Sequence, residues 1–371
     1  MITIQRHVLG ALARRMRMTP GALGTAFFDD VADAEYVKQV GEWWMSLPEQ
    51  DRITVDTVAA LARPALVADV KVVQGRDSLI RTWAVSGEGD QPGPLVLAAA
   101  SGEDALKVKR VETRDEYVDT LVTWLVAAGE PSEPEMKVEL AQAEFAALLA
   151  MTDLHSRTAY TAYLTHQPAA STYGQEAIGQ VYAEGVELND PRWLWSFCAP
   201  LLDDGASRMD GGQLSQALEG LAQRGLIERA GAEWKWTLPG EYLAESLHRR
   251  QVTIGLDTAG ADAEGEAGTH AALIVRSDEP LWYVDMPGGG NVAVCGISMQ
   301  GAREMLDVML KPAGPALEVR VAAPPPPPPV IAAAPPPPPP PPMAGAAYCP
   351  GCGVALAPGA VFCGNCGTRL G

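Results

Sequence analysis

An α/β (α+β) fold is predicted, built from two similar halves, each a helix, four antiparallel strands and a closing helix. Three features of the sequence point to it: short runs in which apolar and polar residues alternate, turn signals between the runs, and helical periodicity on either side of each set of four.

The first set begins after Pro64 and reads VADVKVVQ (67–74), LIRTWAVS (79–86), PLVLAAA (94–100) and ALKVKRV (105–111). The turn-rich GEGDQPG separates two of these runs. A helix is expected before them in VDTVAALARPAL and another after them in TRDEYVDTLVTWLVAAG. In the second of these helices Tyr117, Leu121, Trp124 and Leu125 share a face.

The second set reads RQVTIGLD (250–257), HAALIVRS (270–277), PLWYVDM from Pro280 and NVAVCGI (291–297). GEYLAESLHRR precedes it, and SMQGAREMLDVMLKP follows with Met305, Leu306 and Met309 on one face. Two such units can pair about a pseudo-twofold axis, because each sheet has a face that its own helix cannot cover. Coincidence between common hairpin patterns is the alternative. Between the sets, EPSEPEMKVELAQAE reads as an exposed acidic connection running into a helix.

A segment at 211–248 interrupts the second half. Leu214, Leu218 and Leu221 recur at helical spacing, Gly225 ends the helix, and LIER with WKWTL forms a hairpin. The segment resembles the winged helix of bacterial regulators, with Arg224, Gly225, Leu226, Ile227, Thr237 and Gly240 at the matching positions. That resemblance implies duplex binding, yet a helix entering a groove presents basic or amide side chains. This one offers Gln213, Ser215, Gln216, Glu219 and Gln223, with Arg224, Arg229 and Lys235 the nearby cations.

The order of elements over residues 40–312, with ITVDTVAALARP leading into VKVVQGRDSLIRTWAVS, also resembles the EspG-like chaperones of type VII secretion. Members of that family have two similar α/β halves and hold secretion substrates in the cytosol without catalysis. The resemblance lies in arrangement, and no binding residues are carried over.

The tail has a different character. Pro324–Pro329 and Pro335–Pro342 bracket a short aliphatic stretch, and such runs adopt polyproline II, rising ~3.1 Å per residue. A stiff spacer is the expectation, with a ligand for an aromatic groove as the alternative. Beyond it, Cys349, Cys352, Cys363 and Cys366 form two C-x2-C pairs in YCPGCG and FCGNCG. That spacing suits tetrahedral thiolate coordination of one structural Zn2+, because a tight turn aims both sulfurs of a pair at one ion. Gly353 and Gly367 follow the second cysteine of each pair, and Tyr348 and Phe362 can cover the site. So short a module cannot fold on apolar burial alone, and structural zinc contributes about 10–16 kcal/mol in comparable peptides. Two disulfides are the alternative and require an oxidising compartment. Four thiolates leave no open position for a catalytic water. The segment resembles the zinc-ribbon family, whose short terminal members dock proteins or nucleic acids.

Charge bears on that choice. The chain carries a net −18, and the ribbon contributes Arg369 alone, so salt-dependent nucleic-acid affinity from the ribbon is expected to be weak. The N-terminus, with Arg6, Arg14, Arg15 and Arg17 ahead of any acid, reads as a surface helix complementing the acidic body; the alternative is an arm for membranes or nucleic acid. Neither a membrane-spanning stretch nor a secretory leader is visible, so a cytoplasmic protein is expected.

Catalytic signatures are absent. Cys198 and Cys295 lie among apolar residues and read as core thiols. His7, His155, His166, His248 and His270 have no metal-site spacing. The acidic stretch 257–268 lacks the calcium-loop register and reads as a solvated hairpin loop. The domain division expected is 1–130, 131–312 (including 211–248), a proline-rich linker at 313–347 and the ribbon at 348–371. The function expected is a non-enzymatic adaptor or chaperone-like protein with protein partners, in a secretion context. A winged-helix DNA-binding regulator is the alternative.

Overall fold

The computed structural model describes residues 1–311, apart from positions 22, 50–51, 75–77, 88–94, 112, 127–130, 189, 191, 262–266 and 288–289; residues 312–371 lie outside the description. In chain order, β1 (Ile2–Gln5) leads to α1 (Arg6–Arg15), α2 (Ala34–Ser46) and α3 (Val55–Ala62). Four strands follow: β2 (Pro64–Gln74), β3 (Ser78–Gly87), β4 (Leu95–Ala100) and β5 (Ala105–Val111), closed by α4 (Arg114–Val126). β6 (Lys137–Leu140) then opens a run of helices: α5 (Gln142–Thr165), α6 (Gln175–Leu188), α7 (Leu194–Cys198), α8 (Asp204–Ser207) and α9 (Gly211–Gln223). The hairpin β7 (Ile227–Ala230) and β8 (Glu233–Trp236) precedes α10 (Leu238–His248). The last group is β9 (Val252–Ala261), β10 (Ala267–Arg276), β11 (Leu281–Pro287), β12 (Val292–Gly296) and α11 (Met299–Met309).

Ten strands make one antiparallel sheet in the order β1-β5-β4-β3-β2-β9-β10-β11-β12-β6. The order is mirrored about its centre: each group of four strands starts at the β2·β9 pair and runs outward. Register across that pair goes from Leu66↔Gly260 to Gln74↔Val252. The element order α3, β2–β5, α4 recurs as α10, β9–β12, α11.

One face of the sheet centre carries α4 and α11 side by side. Leu121 and Leu125 with Leu306 and Met309 pack over Ala68, Val70, Val72, Ile254 and Leu256. The two helices are also tied by Arg114 to Asp307 at 2.7 Å and by Arg303 to Asp119. The opposite face carries two separate helical layers. The first, α1 to α3, buries Leu9, Leu12, Val58 and Leu61 on Val85, Val96 and Ala98. The second, formed by α5 to α10, covers Leu273, Val275, Val284 and Val294.

Side-chain caps define several helix starts. Asp33 accepts from the amides of Glu35 and Tyr36, and Thr54 and Ser298 each accept from the third helical amide. Asp210 and Gln213 form a reciprocal capping box.

Three expectations need correction. The helix expected to reach Leu66 ends at Ala62, because Pro64 biases Arg63 out of the helical region and itself begins β2. The acidic connection contains β6, whose KVEL pairs with β12. Asp257, placed with the solvated loop, sits within β9 in register with Asp69 of β2.

Candidate functional site

The segment at 211–248 folds as its local signals require. Leu214, Leu218 and Leu221 are buried, and Gly225 ends α9 at φ +73°, a left-handed conformation that suits glycine. Thr237 and Gly240 also gain physical roles. The Thr237 hydroxyl donates to the Gly225 carbonyl at 2.6 Å and accepts from the Gly240 amide to start α10. A Cβ on Gly240 would stand 1.8 Å from the Leu226 carbonyl oxygen. Tyr173, between α5 and α6, exchanges two backbone hydrogen bonds with Trp234, at 2.8 and 3.0 Å, adding a third short edge to the hairpin.

The charges on this segment are committed locally. Arg224 lies 3.5 Å from Glu144, Arg229 lies 2.6 Å from Glu219, and Lys235 lies 2.8 Å from Glu228. Arg229 also stacks over the Trp234 ring at 3.8 Å. The exposed face of α9 is left with Gln213, Gln216, Glu219 and Gln223. A row of paired cations beside an amide face offers little to phosphates.

A second polar feature lies at the sheet centre, on the face that carries the two helical layers. Arg81 donates to both oxygens of Asp69, at 2.9 and 2.8 Å, and its guanidinium lies 5.3 Å from the Trp83 ring centre. Lys71 is 3.6 Å from the same carboxylate. Asp257 stands opposite Asp69. Burial holds the Asp257 carboxyl above the usual aspartate range and the Asp69 charge adds to this, while Lys71 and Arg81 oppose it. Next to it Phe197 of α7 covers Gly255, where a Cβ would stand 2.8 Å from the ring.

The histidines serve different local roles. His155 bridges the Tyr173 hydroxyl at 2.8 Å and Glu245 at 3.0 Å, and its ring meets that of His248 edge-on at 6.0 Å. His248 Nδ1 lies 2.8 Å from the Ser156 hydroxyl, which donates to the Thr152 carbonyl. His270 pairs with Asp285 at 2.5 Å, His7 packs beside Tyr36, and His166 ends α5 with φ +53°. Cys198 is fully buried and Cys295 half-buried, and burial pushes both thiols up. Sequence reasoning missed Asp153, a buried carboxylate on α5 that accepts from the Leu194 and Trp195 amides at 3.0 and 2.8 Å and so anchors α7. No local signal marks it, because its partners lie far along the chain.

Cys349, Cys352, Cys363 and Cys366 lie outside the described residues. Their donor set, four thiols in two C-x2-C pairs, fits zinc. Among the described residues, no cluster of three or more His, Cys, Asp or Glu could hold a metal.

Residues 348–370 match the zinc-ribbon domain family. No curated protein matches the chain. Among solved structures, the chain is similar to the Mycobacterium tuberculosis type VII secretion system chaperone EspG5 in complex with a PE25–PPE41 dimer, at 10% identity and a TM-score of 0.41, over 85% of this chain and 98% of that one.

When bound, zinc would cross-link the four thiolates into a folded head. No helix among the described residues is long and apolar enough to cross a membrane.

Proposed function

We propose that the chain is a non-enzymatic, chaperone-like adaptor of the cytoplasm, whose terminal ribbon holds one structural zinc through Cys349, Cys352, Cys363 and Cys366 and recruits a protein partner. The observation that carries this reading is the zinc-ribbon match at residues 348–370, set beyond two proline runs. A folded head on an extended spacer suits tethering: the spacer sets the volume searched, and the head supplies specificity. The reducing cytoplasm keeps the thiols available to metal. The ribbon's low charge and the pairing of Arg224, Arg229 and Lys235 with glutamates favour a protein partner over nucleic acid.

The test compares the full chain with a version lacking residues 324–371. The full chain should bind about one zinc per molecule and recover a partner that chelation releases. The shortened chain should keep the melting temperature of the body and lose that partner. Identical partners for both versions, or a metal-free tail with its cysteines oxidised to one another, would overturn the proposal.

A further inference from the structure

We propose that the outer edge of β1 is a docking site for an extended acidic segment of a partner protein, which adds to the ten-stranded sheet as an eleventh strand. This surface belongs to the body and is separate from the terminal ribbon, so its failure would leave the ribbon's proposed role intact.

The backbone geometry comes first. The Arg6 amide donates to the Asp104 carbonyl at 2.8 Å, which places Arg6, Ile4 and Ile2 at the hydrogen-bonded positions facing β5. Alternation then turns the amide and carbonyl of Thr3, and the amide of Gln5, away from the sheet. Among the described residues these outward groups meet no backbone partner beyond the sheet. β1 is short, at four residues, but Ile2–Gln5 contains no charge, proline or glycine to block a further strand. The opposite edge does carry charge, since β6 exposes Lys137 and Glu139.

The chemistry of the occupant follows from the two faces of β1. Ile4 is buried against the layer of α1 to α3, and Ile2 shares its face. Thr3 is exposed and stands in register with Lys107 of β5 on the other face. Lys107 and Lys109 are exposed there. An added strand would therefore set apolar side chains beside Ile2 and Ile4 and acidic ones beside Thr3, within reach of the lysines. The acidic remainder of the body is screened beyond ~8 Å at physiological salt, whereas the lysines act at close range. A second copy of β1 in this position would bring no acid to them, which is why an acidic partner fits better.

The probe is a short fluorescein-labelled peptide of alternating glutamate and valine, titrated against the full chain by anisotropy. Saturable binding is expected, weakened by salt and at least about tenfold tighter than for the same peptide with lysine in place of glutamate. Thr3→Pro removes an outward amide without touching the bonds to β5 and should abolish binding; K107E/K109E should reverse the charge preference. Hydrogen exchange should show the Thr3 amide open in the free protein and protected by the peptide. No binding, equal binding of both peptides, or retention by Thr3→Pro and K107E/K109E would overturn the proposal. So would a dimer in which the Thr3 amide is protected without peptide.

Discussion

Asp69 of β2 and Asp257 of β9 face each other directly across the central pair of the sheet, in the seam between two helical layers. Only one of them is well served: Asp69 receives both arms of Arg81 and lies near Lys71. Asp257 is left partly buried beside a like charge, and burial is the main reason its carboxyl titrates above the usual range.

The consequence is a destabilising carboxylate. A raised folded pKa means that ionising Asp257 costs stability, and this cost appears as pH climbs past the usual aspartate value of about 3.9. Asp257→Asn should therefore raise the melting temperature near neutral pH. The advantage should shrink as pH falls and the wild-type carboxyl takes up its proton. Thermal melts of both proteins across this range check it.

Asp153 behaves differently despite the same direction of shift. Burial pushes it up to about 6, against the opposing pull of Arg250, the Trp195 and Leu194 amides, and Arg157. Its ionisation cost likewise grows as pH rises from about 4 toward 6. Removing the side chain, however, strands two buried amides at the start of α7. Asp153→Ala should cost about 3 kcal/mol and Asp153→Asn less, since one acceptor remains. Urea melts at constant pH measure both.

Gly185 of α6 leaves room for the Trp195 ring, which stacks on Tyr182 at 5.0 Å between ring centres. A Cβ at Gly185 would stand 2.1 Å from Trp195 Cδ1. Gly185→Ala is expected to destabilise by about 2 kcal/mol through overpacking. Near-ultraviolet circular dichroism should report the displaced tryptophan before global unfolding does.

The segment around α9 should not retard duplex DNA in a gel, even at low salt. Changing Arg224, Arg229 and Lys235 together to alanine should leave that result unchanged, since each cation already has a glutamate partner. A retarded band lost on this substitution would restore the regulator reading.

Features governed by local chemistry were legible before folding. Cysteine spacing marked the segment that matches the zinc-ribbon family, because two C-x2-C pairs are a signal local to the chain. Alternation marked the long strands, and Leu214, Leu218 and Leu221 marked the buried face of α9, because a helix or strand with one wet face must repeat its apolar residues at its own period. Tertiary structure alone decided where short or isolated features went. β1 and β6 hold four residues each, too few for a periodic signal, and became strands only because β5 and β12 left open edges beside them. The meeting of Asp69 with Asp257, and of Asp153 with the amides of α7, was set by packing between distant segments. The burial and partners that fix a carboxylate's charge exist only once the chain has folded.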